Sequence, residues 1–281
     1  MKKIGFVDFY LSEWHANNYP KWIAQANEVL GTDYQVAYAW AELDVSPRDG
    51  VTTVQWCEKY GATPCATLRE LCEKSDVILV LAPSDPDKHL PYAKQVLPFG
   101  KPTYIDKTFA PDTATAREIF SLAQKYGTPL FSSSALRYAT ELDEIAGSRR
   151  LAVTGSGHSA EEYIVHQAEM VVKTLQTGAK KVRAMQMGLL SVFEVAYDDD
   201  RAATMTFSPN ALPFTLLAEG GEKPRWRQVK SDFFAALLQD ILRFYETATV
   251  SFDLAQTVEV MAMREAALTA YNTPGEWVAL S

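Results

Sequence analysis

Three observations predict an α/β chain of two domains. Short apolar runs alternate with helical stretches as far as Phe131, the rhythm of right-handed βαβ units wound into a parallel sheet. Past Phe131 the rhythm breaks, and strand-like runs follow one another directly, as in an antiparallel meander. The length of 281 residues suits one large domain or two ordinary ones. The expected architecture is a doubly wound parallel sheet over residues 1–131, then an α+β domain with a mostly antiparallel sheet over 132–281.

Each element has its own signal. Ile4–Val7 is a short apolar strand, and a helix from about Asn17 to Leu30 is stopped by Gly31. Gln35–Trp40 is the second strand; helices follow at Val54–Tyr60, ended by Gly61, and at Leu68–Lys74, with Thr67 as N-cap. Val77–Ala82 is apolar throughout, as a strand covered on both faces must be. A helix over Asp87–Leu97 closes at Phe99-Gly100, a strand spans Thr103–Asp106, and Asp112 caps a helix that runs to Tyr126 and stops at Gly127. Pro129–Phe131 is the fifth strand. In the second domain a helix covers Ala160–Leu175. Strands are expected at Lys181–Met187, Val192–Tyr197, Arg201–Phe207 and Phe214–Ala218, and helices at Asp232–Thr247 and Leu254–Tyr271.

Composition excludes several functions. Lys and Arg number 27 against 35 Asp and Glu, a net charge of −8, so phosphate backbones and anionic lipid repel the chain. Nucleic acid and membrane are therefore not expected partners. No apolar run approaches the roughly 18–20 residues that span a bilayer. The basic-apolar start Met1-Lys2-Lys3-Ile4 is broken by Asp8 without a cleavage pattern, so a cytoplasmic location is expected. Cys57, Cys65 and Cys72 fit neither a disulfide framework nor a CxxC metal pattern; they read as small buried hydrophobes.

Ligands of a doubly wound sheet bind at the carboxyl ends of its strands, which directs attention to the residues after Val7, Ala39, Ala82 and Ile105. The first turn, Asp8-Phe9-Tyr10-Leu11-Ser12-Glu13, lacks the glycines that let backbone N–H groups approach a pyrophosphate. By itself this argues against a dinucleotide. The helix start near Ser12 nonetheless offers N–H groups and a positive dipole end, and the rings of Phe9, Tyr10 or Trp40 could stack on a cofactor. Glu42, with Asp44 behind it, suits ribose hydroxyls or is a solvated loop carboxylate; Arg48 could meet a 2′-phosphate or be an exposed loop arginine. Lys107, just past the fourth strand, could orient a hydroxyl, hold a phosphate or help move a proton; a solvated side chain that packs little is expected there. Glu162 and His166 lie four apart on a helix, a spacing that raises imidazole basicity and suits a general acid/base, and is also common in surface pairs. No third ligand accompanies them, so no metal is expected.

Taken in order, several segments resemble the Gfo/Idh/MocA oxidoreductases, the relatives of glucose–fructose oxidoreductase and inositol dehydrogenase. They are Tyr60-Gly61-Ala62, Leu68-Arg69-Glu70-Leu71, Ser75–Val80, Ala82-Pro83, His89, Gly100-Lys101-Pro102, Asp106-Lys107-Thr108, Arg137-Tyr138 and Glu162-x-x-x-His166. Asp106-Lys107-Thr108 is similar to that family's Glu-Lys-Pro, and Glu162-x-x-x-His166 to its Asp-x-x-x-His. The resemblance implies a Rossmann-type first domain and an NAD- or NADP-dependent oxidoreductase of carbohydrate metabolism. Its substrate would be a sugar, polyol or related hydroxy compound. It implies catalytic roles for Lys107, His166 and Glu162. Cofactor contacts would fall at Asp8, Tyr10, Ser12, Trp40, Pro83 and Asp106, and substrate contacts at Lys107, Arg137 and Tyr138. It also implies a homo-oligomer, a dimer or higher, formed through a sheet face that carries Met185, Met187 and Phe193. The alternative is a family member without dinucleotide binding, acting as a ligand-binding or partner subunit.

Overall fold

A computed structural model describes residues 1–219 and 223–281. In chain order, β1 (Lys2–Asp8), α1 (Trp14–Leu30), β2 (Tyr34–Ala41), α2 (Thr53–Tyr60), β3 (Thr63–Pro64), α3 (Leu68–Lys74), β4 (Val77–Val80), α4 (His89–Val96), β5 (Thr103–Ile105), α5 (Thr113–Tyr126) and β6 (Leu130–Phe131) come first. Then follow α6 (Thr140–Asp143), β7 (Arg150–Gly157), α7 (Ala160–Leu175), β8 (Ala179–Met187), β9 (Leu190–Tyr197), β10 (Ala202–Pro209), β11 (Thr215–Glu219) and β12 (Arg225–Gln228). The chain ends in α8 (Phe233–Thr247), α9 (Ala255–Asn272) and β13 (Trp277–Ala279).

The chain folds into two compact units. The first holds Met1–Ala110, Ala114–Ser132 and Phe234–Phe252, and the second holds Pro111–Thr113, Ser133–Phe233 and Asp253–Ser281. The units are therefore not two successive stretches of sequence, because α8 returns to the first.

In the first unit β1–β6 form a parallel six-stranded sheet in the order β3-β2-β1-β4-β5-β6. Val77, Ile78, Leu79 and Val80 are almost wholly buried, as the apolar run requires, each contributing roughly 1.5–3 kcal/mol relative to exposure. Gly5 of β1 admits α3 closely: a Cβ there would lie 2.4 Å from the Ser75 hydroxyl and 2.6 Å from Leu71. α8 joins this core through Phe244, whose ring centre lies 4.8 Å from that of Phe131. The Tyr245 hydroxyl also donates to the Ile78 carbonyl at 2.8 Å. The three cysteines are free and buried.

In the second unit the strand order is β12-β11-β7-β10-β9-β8-β13. β8, β9 and β10 form the expected meander. β11 does not continue it: β11 pairs with β7, and β7 runs parallel to β10. The face covered by α7 and α9 is apolar, with Val153, Val182, Phe193, Val195 and Met205 buried. Phe193 thus belongs to the core, not to the open face. That face instead exposes Met185, Met187, Leu217 and Trp226. Among the described residues no helix is long and apolar enough to cross a membrane.

Candidate active site

In the first unit the carboxyl ends of β1, β4 and β5 bring three sequence segments together. The Asp8 side chain, 1% exposed, accepts the backbone N–H groups of Phe9 at 2.7 Å and Ala82 at 3.0 Å through Oδ1. Its Oδ2 has no hydrogen-bond partner among the described residues. Burial, followed by the nearby Glu13 carboxylate, pushes the Asp8 carboxyl well above its ordinary value. Asp106 is as deeply buried; it accepts the backbone N–H of Lys107 at 2.8 Å and bonds His15 Nδ1. Burial pushes the Asp106 carboxyl up, and His15 and Lys107 more than offset it, holding it below the usual range. Lys107 is 8% exposed, which corrects the expectation of a solvated lysine. Its Nζ donates to the Pro83 carbonyl at 3.2 Å, so β5's end is tied to β4's. His89 reinforces the tie from beneath, with Nε2 at 2.6 Å from the Leu81 carbonyl and Nδ1 at 3.1 Å from that of Phe109.

A dinucleotide would need the turn after β1. The spacing Gly-x-Gly-x-x-Gly, which lets backbone N–H groups reach the pyrophosphate, falls here on Asp8, Tyr10 and Glu13. Glu13 caps α1, accepting the N–H groups of His15 at 2.7 Å and of Ala16. It is 5% exposed, and burial raises its carboxyl above the ordinary value. The N–H groups that would meet a diphosphate already have a carboxylate. The loop after β2 is also bonded onto this turn: the N–H groups of Glu42 and Leu43 donate to the carbonyls of Asp8 and Phe9 at 3.1 and 2.8 Å. The Ser12 hydroxyl donates to Asp49 at 2.8 Å. Glu42, the candidate ribose grip, lies 2.5 Å from the Lys88 ammonium and 2.8 Å from the Tyr92 hydroxyl. The first turn therefore does not fit a diphosphate held in the fold's usual manner. The rings of Tyr10 and Trp40 remain half-exposed. Arg48 and Asp49 line a cavity of about 250 Å³ with Ser12, Trp14, Asn17 and Asn18.

The second unit builds around α7. The Ser134 hydroxyl lies 2.7 Å from His166 Nδ1 and fixes the ring's orientation. Ser134 is fixed in turn by Glu169, which accepts its backbone N–H at 3.0 Å, and Glu169 forms a buried ion pair with Arg137. Arg137 also donates to Gln256 at 2.8 Å. Arg137, expected at the substrate, thus sits 4% exposed in an internal network, while Tyr138 is half-buried. The Glu162 carboxylate lies 2.5 Å from Nε2 of His158, four residues before it. Sequence reasoning missed His15, Ser134 and Glu169; only Glu169, one turn beyond His166 on the same helix, had a signal that periodicity could have exposed. Among the described residues no three His, Cys, Asp or Glu side chains are grouped to hold a metal ion.

Comparison with known proteins agrees with this architecture. No family model matches the chain. The uncharacterized oxidoreductase YhhX of Escherichia coli is 40% identical over 60 residues, which is 21% of this chain and 17% of that protein. A probable dehydrogenase from Thermotoga maritima superposes with a TM-score of 0.78 at 12% identity, over 99% of this chain and 98% of its own. The UDP-N-acetylglucosamine 3-dehydrogenase GnnA of Acidithiobacillus ferrooxidans gives 0.76 at 14% identity, over 95% and 97%. GenD2 of gentamicin A biosynthesis, solved with NAD, gives 0.76 at 15% identity, over 100% and 97%. The chain has the fold of these three proteins. Its likeness to those proteins extends over nearly its full length, in keeping with the resemblance that the sequence motifs carry.

Proposed function

We propose that the chain is an oxidoreductase that interconverts a hydroxyl and a carbonyl on a sugar, polyol or related hydroxy compound, with NAD or NADP as the redox partner. The observation that carries this reading is Lys107: a nearly buried ammonium at the carboxyl end of β5, fastened to the Pro83 carbonyl, within a chain whose fold is that of dehydrogenases. An ammonium in that position donates a hydrogen bond to the oxygen of a reacting hydroxyl and stabilises the negative charge that develops on it. His166, oriented by Ser134, is assigned a general acid/base role. Glu162 assists from the same helix, and Tyr138 bounds the substrate. Arg137 acts by holding Glu169, and through it Ser134. A carbohydrate-like substrate is supported by the sugar-nucleotide dehydrogenase among the fold neighbours. Tyr10 and Trp40 supply ring faces for the cofactor; Pro83, Ser12, Asp8 and Asp106 shape the crevice around it.

The open face of the second unit's sheet, with Met185, Met187, Leu217 and Trp226 exposed, is assigned to pairing with a second copy, since exposed apolar sheet marks an interface. The enzyme is assigned to the cytoplasm.

The test is nicotinamide absorbance during incubation with NAD or NADP and a panel of aldoses, polyols and sugar acids. Turnover on a member of that panel, lost in Lys107→Met, supports the reading. A panel that gives no absorbance change with either cofactor, in both directions, contradicts it.

A further inference from the structure

We infer that this chain fills with its own carboxyl side chains the place where the fold receives a dinucleotide diphosphate, so that it recognises a nicotinamide nucleotide through its nicotinamide–ribose end and gains nothing from the adenylate half. The inference builds on the cofactor reading above and says how that cofactor is held.

Donors at a helix start are few, because the first turn leaves only about four N–H groups without partners inside the helix. In α1 two of these, from His15 and Ala16, donate to Glu13. A second carboxylate, Asp8, holds the N–H groups of Phe9 and Ala82. Both side chains are nearly inaccessible. A diphosphate entering here would have to displace one carboxyl group from its N–H donors and lie beside a second that holds its own. The segments that follow β1 and β2 are bonded to each other through Asp8–Glu42 and Phe9–Leu43, and Ser12 is tied to Asp49. The neighbouring ribose grip is likewise taken, since Glu42 is held by Lys88 and Tyr92. The Lys88 ammonium also sits 4.5 Å above the Phe9 ring. Glu13, Asp8 and Glu42 are thus each satisfied from within the first unit. The nicotinamide end of the crevice is built differently. There Lys107 Nζ has the Pro83 carbonyl at 3.2 Å and retains further donor capacity.

The experiment is calorimetric titration of wild type, Glu13→Ser and Asp8→Gly/Glu13→Ser with NADH, NADPH and reduced nicotinamide mononucleotide. Serine keeps an N-cap for α1, and circular dichroism with a melting curve confirms that each variant folds. For wild type the expected affinities for NADH and the mononucleotide agree within about threefold. Glu13→Ser should tighten NADH by about tenfold, or ~1.4 kcal/mol, and leave the mononucleotide unchanged. Wild type that prefers NADH to the mononucleotide by tenfold or more, with no gain in the variants, overturns the inference. So does a folded double variant that binds no dinucleotide. Wild type that binds none of the three overturns it as well and also removes the cofactor reading above, whereas a tenfold preference for NADH overturns the inference and leaves that reading standing.

Discussion

The Asp8 carboxylate accepts the backbone N–H of Ala82 at 3.0 Å, and Ala82 stands in the left-handed region with φ 57°. A side chain at the end of β1 thus holds the end of β4 in a conformation that alanine rarely adopts. Asp8 occupies the first position of the spacing that in dinucleotide folds belongs to glycine. Its carboxylate organises the crevice by bonding the backbone on both sides.

The raised carboxyl of Asp8 gives a pH signature. Between the unfolded value near 3.8 and the higher folded one, the folded chain binds the extra proton. Asp8 therefore loses stabilising effect as pH rises through that window. Asp8→Asn keeps the acceptor for Phe9 and Ala82 without the charge. Its stability relative to wild type should increase from pH 4 to pH 8, by up to ~1.4 kcal/mol per pH unit inside the window. Urea melts across that range check it; parallel curves for the two proteins would refute it.

The Arg137–Glu169 pair is buried on both sides, with side chains 5% and 3% exposed. Removing one partner leaves an uncompensated charge, so Arg137→Leu should destabilise by about 3–5 kcal/mol. Arg137→Leu/Glu169→Leu should recover much of that loss in stability. Turnover should not recover, because Ser134 loses the acceptor for its N–H and His166 its fixed orientation. Recovery of turnover in the double variant would show that the network does not position His166.

Lys107 is too buried for alanine to be a clean test, since alanine would leave a cavity. Lys107→Met keeps the volume. It should lower kcat by about a hundredfold or more while the melting temperature changes by a few degrees at most. A large fall in melting temperature would instead make the ammonium a structural group.

Assembly follows the open sheet face. Light scattering should give at least a dimeric mass at micromolar concentration, and Met185→Asp/Met187→Asp should shift it toward the monomer. These side chains are 56% and 52% exposed in one chain, so their loss should leave the fold unchanged. A wild-type chain that scatters as a monomer removes the assignment.

Much of the fold was legible because its signals are local. Val77–Val80 has the unbroken apolar run of a strand buried on both faces, and Gly31, Gly61 and Gly100 stand at positive φ where helices were expected to stop. β7 escaped notice because Arg150–Gly157 reads as a turn-rich Thr-Gly-Ser-Gly tail. Its two glycines are there for contact: a Cβ at Gly155 would meet the Phe214 ring at 2.5 Å, and one at Gly157 the Tyr163 ring at 2.0 Å. β12 and β13 are short edge strands, whose pairing depends on partners distant in sequence. α1 begins three residues before the expected start, at Trp14, because Glu13 caps it; glutamate is a poor N-cap by propensity. Lys107 after β5 and His166 on α7 were legible as residue types on their elements, whereas the contacts of His15, Ser134 and Glu169 depend on side chains that only folding brings together.

The most direct test of the account is saturation-transfer NMR of NADH in the presence of the protein, which reports which protons of the ligand lie against the chain. Strong transfer to the nicotinamide ring protons and little to the adenine protons is expected. Adenine protons saturated as strongly as those of the nicotinamide, or no transfer to either ring, would contradict it.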